Sequence, residues 1–301
     1  MKLEDEIDAF LASLSFERAM AANTCEAYAR DLRRFAEDLS RRGRTCAAEI
    51  AREDIVGFLR RERDRGRAST TRARRRAAIR MFLRYLKERH LIASDPSALM
   101  DSAKKERPLP RVLSEEEVAR LLDSVSGDKP RELRDRAMLE VLYGCGLRVS
   151  ELCAMKMLDF VSDGELLRVT GKGSKERLVP VGAAAGRALN AYFAKARGTF
   201  LPPNRVVPHV FLSALGKPLT RQGVFKLLRT RAAAAGIPAS RISPHVLRHS
   251  YASHMLAHGA DIRAIQELLG HVDIGTTQIY THVDAGRIAD IHHRYHPRAD
   301  A

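Results

Sequence analysis

The 301-residue chain is 45% hydrophobic and carries 52 Lys and Arg against 37 Asp and Glu, a formal net charge of +15. That length suffices for about two domains with cores of their own, and the apolar content excludes an intrinsically disordered chain. No stretch approaches the ~18 apolar residues of a membrane span, and the acidic start Met1–Glu6 lacks the apolar run of a signal peptide. Cys25, Cys46, Cys145 and Cys153 are scattered and form no C-x-x-C pair. Together these features lead us to expect a soluble cytoplasmic protein without a disulfide framework.

In chain order, Leu3, Ile7, Phe10, Leu11 and Leu14 fall at the spacing of one apolar helix face. A second helix, capped by Asn23 or Thr24, lines up Tyr28, Leu32, Phe35 and Leu39. Ile55, Phe58 and Leu59 mark a third. Ser69-Thr70 opens a fourth, with Ile79, Phe82, Leu83 and Leu86 inside and Arg72, Arg75, Arg76 and Arg80 expected outside. Charge concentrates here, since residues 60–89 hold thirteen Lys and Arg against Glu62, Asp64 and Glu88. Such density points to a polyanion partner, most simply nucleic acid; the alternative is a helical bundle with a solvated arginine face.

Residues 91–111, with Asp95-Pro96, Lys104-Lys105, Pro108 and Pro110, read as a charged linker between a domain at 1–90 and a second at 112–301. Ser114 and Glu117 form a capping-box signature. Helices over 114–125 and 131–145 lead into Gly144-Cys145-Gly146-Leu147-Arg148. Segments 165–169 and 177–181 read as strands joined by the hairpin loop Gly171-Lys172-Gly173-Ser174-Lys175. From residue 183 the pattern is helical to the end. The expected fold class is mainly α with one small antiparallel β-sheet. Neither glycine cluster completes a dinucleotide or P-loop fingerprint, so no nucleotide cofactor is expected.

Chemistry gathers in the second domain. Ser243-Pro244 suits a helix start, which turns backbone N–H groups toward an anion. His245 and Arg248, three apart, then share a helix face. Arg148 follows a glycine turn and can approach the same anion. Two guanidiniums clamp a phosphate with paired charge-assisted hydrogen bonds that lysine cannot reproduce. Tyr280 is the candidate nucleophile and His271 a further phosphate ligand. Lys172, at the hairpin tip, is placed to give a proton to a leaving oxygen. Each piece has an ordinary alternative. A lone H-x-x-R is common surface chemistry, and a tyrosine near a C-terminus is usually core. His245 and His249 have metal-ligand spacing, but no H-E-x-x-H or Cys/His quartet accompanies them, so no metal is expected. His292, His293 and His296 read as a solvated tail.

The stretches YGCGLRVSEL (143–152), TGKGSKERLVPV (170–181), SPHVLRH (243–249) and LLGHVDIGTTQIYTH (268–282) resemble the tyrosine site-specific recombinases of the phage integrase family, XerD type. The ending HHRYHPRA (292–299) is similar as well, and the resemblance covers nearly the whole chain. It implies a four-helix, SAM-like core-binding domain followed by a catalytic domain, closing as a clamp around double-stranded DNA. It also implies that Arg148 and Arg248 bind the scissile phosphate and that Lys172 is the general acid. His245 would assist proton transfer, His271 would hydrogen-bond the phosphate, and Tyr280 would form a 3′-phosphotyrosyl link. Some members carry Trp where His271 stands. Arg72, Arg75, Arg76, Arg80, Lys175 and Arg177 are the expected DNA contacts.

The resemblance further implies four subunits around two duplexes and no cofactor. The last helix (284–295) would pack on a neighbour through Ile288 and Ile291. A XerC-type recombinase is the implied partner in resolving chromosome dimers, with activation by a DNA translocase at division. Rival readings are a type IB topoisomerase, a lone-acting phage or transposon integrase, and a non-catalytic DNA-binding protein of the same fold. The chain shows no extra DNA-binding arm before its first helical domain, and every expected catalytic residue is present.

Overall fold

The computed structural model describes residues 3–16, 20, 22–98, 100, 112–171, 176–270 and 282–300. Two compact units divide the chain, Met1–Glu106 and Arg107–Ala301.

In the first unit four helices carry the expected apolar stripes: α1 (Leu3–Phe16), α2 (Ala22–Ser40), α3 (Arg52–Asp64) and α4 (Ser69–Glu88). Ile7, Phe10, Leu32, Phe35, Phe58 and Phe82 meet in one core. Its rings pack tilted, Phe10 on Phe82 at 5.6 Å and Phe35 on Phe58 at 5.2 Å between centroids, a geometry that suits the ring quadrupoles. α2 begins at Ala22, so Asn23 and Thr24 stand in its first turn instead of before it. The expected linker also starts too early: Ile92 is buried in this core and Met100 packs against it. Residues 101–111 lie outside the described set.

The structure corrects one of the four α4 arginines. Arg75 is buried, and its Nε donates to Asp31 Oδ1 at 3.2 Å while Nη1 pairs with Glu62. The reason is register. Arg75 precedes Ile79, Phe82, Leu83 and Leu86 on their own stripe, so it points inward. Asp31 and Glu62 are themselves buried and need a cation there. Arg72, Arg76 and Arg80 are partly exposed, and Arg72 donates to the Arg67 carbonyl at 2.6 Å.

The second unit opens with α5 (Glu115–Asp123), closed at its N-terminus by the expected box. Glu117 N donates to Ser114 Oγ at 3.2 Å and Ser114 N to Glu117 Oε2 at 3.0 Å. α6 (Pro130–Gly144) is the central helix, with Ala137 to Tyr143 almost wholly buried. Then come α7 (Val149–Ala154) and a sheet in the order β1 (Phe160–Val161), β2 (Leu166–Thr170), β3 (Glu176–Pro180). All pairs are antiparallel, with Leu167 opposite Val179 and Val169 opposite Arg177. The two-residue β1 was not legible in the sequence, being too short to show alternation. Helices α8 (Ala183–Lys195), α9 (Arg221–Ala234), α10 (Pro244–Ala257), α11 (Ile262–Leu269) and α12 (His282–Tyr295) complete the unit. Among the described residues no helix is long and apolar enough to cross a membrane.

The C-terminal segment departs from the expected solvated tail. Ile288 is buried in the unit's own core, with Ile291 packed beside it, so this helix docks on its own chain. His292 Nε2 donates to the Gly144 carbonyl at 2.8 Å, and its ring stacks on buried His296 at 4.7 Å. Arg298 holds both oxygens of buried Glu140 at 3.0 and 2.6 Å. Only His293 is exposed as expected, paired with Asp300 at 2.7 Å. The helical spacing of Ile288, Ile291, His292 and Tyr295 along one face of α12 is the signal for this docking.

Candidate active site

Three arginines from separate parts of the chain converge on one carboxylate. Gly146, at φ +56°, turns the chain out of α6, and an added Cβ there would meet the Tyr251 ring at 2.8 Å. Only glycine combines that conformation with that approach. The turn delivers Arg148 as the residue before α7. Its backbone N donates to Glu151 Oε2 at 2.8 Å and its Nη1 to Glu151 Oε1 at 2.8 Å. Arg177 of β3 grips both Glu151 oxygens at 2.9 Å. Arg248, in α10, has its Nη1 3.8 Å from Glu151 Oε2 and donates it to the Gly146 carbonyl at 2.6 Å.

The C-terminal end of α11 completes the frame. A helix's last carbonyls find no amide in their own helix, and here three in succession take guanidinium donors. Leu268 O accepts from Arg177 Nε at 2.9 Å, Leu269 O from Arg248 Nη2, and Gly270 O from Arg148 Nη2 at 3.1 Å. Cations are favoured at this negative end of the helix dipole. Gly270 itself is left-handed, at φ +64°.

Electrostatics follow from this crowding. Burial pushes the Glu151 carboxyl upward, but the hydrogen bonds and charge of Arg177 and the hydrogen bonds of Arg148 outweigh it and hold the group down at about 2. Burial, then the charges of Arg148 and Arg177, bring Arg248 down to about 10, so it stays cationic at neutral pH. Three guanidiniums therefore share one carboxylate. Arg148, with its side chain 34% exposed, is the open edge where an anion can reach the surplus charge.

Of the expected catalytic set, the structure brings Arg148 and Arg248 together. It places His245 exposed in the first turn of α10, which begins as expected, with Val246 N donating to Ser243 Oγ at 3.2 Å. Lys172, His271 and Tyr280, and the expected DNA contact Lys175, lie outside the described residues. Arg177 is a correction. Expected at the DNA, it is 5% exposed, with Nε, Nη1 and Nη2 all used inside the protein. Its partner Val169 is also buried, and the strand's alternation carries Arg177 to the inner face. Glu151 is the functional residue the sequence reading missed. Its signal was present: a glutamate three residues after Arg148, at capping-box spacing. His245 and His249 are both exposed, and no metal-holding group of three or more His, Cys, Asp or Glu occurs among the described residues.

Known proteins resemble this chain in sequence and fold. The Phage integrase family profile matches residues 111–287, and that of the Phage integrase, N-terminal SAM-like domain matches 7–90. Tyrosine recombinase XerD of Listeria monocytogenes serotype 4b (strain F2365) is 43% identical over 298 residues, covering 99% of this chain and 100% of the relative. The protein of the same name from Oceanobacillus iheyensis is 41% identical over 298 residues, with 99% and 100% covered. Among solved structures, Tn1549 transposon integrase with circular intermediate DNA aligns at TM-score 0.72 and 19% identity, over 95% of this chain and 98% of that one. XerH bound to palindromic difH, in a post-cleavage complex, aligns at TM-score 0.69 and 23% identity, over 92% and 81%. These two likenesses bear on fold alone. With both domains matched and near-full-length relatives above 40% identity, the chain belongs to the phage integrase family of tyrosine recombinases.

Proposed function

We propose that this chain is a XerD-type site-specific recombinase that cleaves and rejoins double-stranded DNA through a 3′-phosphotyrosyl intermediate on Tyr280. The carrying observation is the convergence of Arg148 and Arg248 on adjacent carbonyls, Gly270 O and Leu269 O, around a single buried carboxylate. Such a pair stabilises the charge that grows on phosphorus as it becomes five-coordinate.

In the proposed step the Tyr280 hydroxyl attacks the scissile phosphorus and the bond from phosphorus to the 5′ oxygen breaks. Lys172 supplies the proton to that oxygen, His245 assists proton transfer, and His271 hydrogen-bonds a non-bridging oxygen. Attack by the 5′ hydroxyl of another strand reverses the sequence and frees the tyrosine. Each phosphodiester lost is regained, so the reaction needs no nucleotide hydrolysis and no cofactor. The reading extends to a tetramer with a XerC-type partner, resolution of chromosome dimers in the cytoplasm, and activation by a DNA translocase at division. The division into a core-binding domain (1–90), linker (91–111) and catalytic domain (112–301) belongs to the same proposal, with the linker's first part folded onto the helical unit.

The test is covalent trapping on a nicked candidate site, with and without a second recombinase. Unsubstituted protein is expected to give a protein–DNA adduct stable on denaturing gels, attached at the 3′ end. Tyr280→Phe should bind with unchanged affinity and give no adduct. Adduct persisting in that variant places the nucleophile elsewhere, and plasmid relaxation without a second site favours the topoisomerase reading.

A further inference from the structure

We propose that Arg177 is a positioning residue for strand cleavage, a strut that sets the phosphate clamp from behind; the inference rests on the recombinase reading above. Arg177 touches two supports of that clamp, the Glu151 carboxylate and the end of α11. Its two terminal nitrogens fix both oxygens of Glu151 at 2.9 Å, and Glu151 in turn fixes the Arg148 backbone and guanidinium at 2.8 Å each. Its Nε holds Leu268 O at 2.9 Å, the first of the three α11 carbonyls whose next two orient Arg248 and Arg148. Its Cδ also occupies the space a side chain at Gly270 would need, 3.0 Å from an added Cβ. A substituent at 270, or a smaller residue at 177, therefore changes where α11 ends.

A mere counter-charge does not fill this role. Lysine offers one nitrogen and cannot span a carboxylate while also capping a carbonyl, whereas the guanidinium fork does both at once. Arg177 lies five residues after Lys172 in the sequence, near the start of β3. It thereby ties the strand adjoining the proposed acid to the residues that hold the phosphate. Misplacement of about 1 Å in such a frame is enough to cost roughly 100-fold in rate.

The experiment compares full-length Arg177→Lys, Glu151→Gln and the double variant with the unsubstituted protein. Three quantities are read: affinity for the site against salt, the single-turnover rate of adduct formation at saturating DNA, and thermal unfolding. For Arg177→Lys we expect affinity within about twofold and an unchanged salt slope, with adduct formation slowed about 10- to 100-fold. Because both residues act through one carboxylate, the double variant should be no slower than the slower single variant. Three results overturn the inference: an unchanged cleavage rate with a lower salt slope, which returns Arg177 to the DNA surface; multiplying defects in the double variant; and loss of binding and cleavage in parallel with unfolding, which leaves a purely structural residue. If the unsubstituted protein forms no adduct, the recombinase reading itself falls, and this inference with it.

Discussion

Each unit of the chain holds a buried arginine cluster, and the two have opposite proportions. In the helical unit one buried guanidinium, Arg75, faces two buried carboxylates, Asp31 and Glu62. The further partners Arg34, Arg65 and Arg74 reach in with side chains 37–42% exposed and keep contact with water. In the catalytic unit one buried carboxylate, Glu151, faces two buried guanidiniums, Arg177 and Arg248, with Arg148 at the edge, and their remaining bonds go to neutral carbonyls. In the first cluster the buried groups are two carboxylates to one guanidinium, the further cations stay in contact with water, and the cluster serves the fold. The second keeps uncompensated positive charge inside the protein, and an anion is what completes it. Counting arginines does not separate these cases; counting the buried groups of each sign does.

The comparison breaks first at Arg75. Removing one member of a buried ion cluster strands its partners, so Arg75→Met should destabilise the chain by about 3–5 kcal/mol. Urea unfolding measures it. DNA affinity of the protein that remains folded should be unchanged; a lower salt slope with normal stability would make Arg75 a DNA contact after all. Arg248→Lys is the mirror experiment. It keeps a cation but loses the fork that spans Gly146 O and Leu269 O. Adduct formation should fall about 10²–10³-fold with site affinity nearly unchanged. A rate within tenfold of normal would mean that charge alone, without orientation, satisfies the phosphate.

Much of this was legible in the residues. The α-helical stripes, the Ser114 box, the β2–β3 hairpin strands and the Ser243-Pro244 start follow from local periodicity and capping, which neighbours in sequence decide. Arg148 and Arg248 were legible as a pair because their chemistry, not their position, marks them. What escaped depends on residues far apart in the chain. Arg75 points inward only because Asp31 and Glu62 await it, and nothing near residue 75 announces them. Arg177 looked like surface charge because its carboxylate lies 26 positions away and its carbonyl 91 away. His292 and His296 are buried for the same reason, since Gly144, which receives His292, is 148 positions off.

Acid titration separates the Glu151 cluster from that C-terminal docking, with the smallest effect of the three. Burial, then the nearby charge of His292, holds His296 well below the ordinary histidine value of 6.5; burial lowers His292 too. The unfolded chain thus binds protons that the folded one refuses. Stability from these residues is complete above about pH 6.5 and drains away as pH falls below it. Glu151 behaves differently. With its folded value at about 2 against an ordinary 4.5, its contribution persists until pH drops below about 4.5. Between pH 6.5 and 5, therefore, hydrogen exchange should quicken in α12 and its following turn while α7 and the end of α11 stay protected. His296→Gln should flatten that pH dependence. Equal loosening of both regions over that interval would show that the guanidinium cluster leans on the docked C-terminal segment and is not held by Glu151 alone.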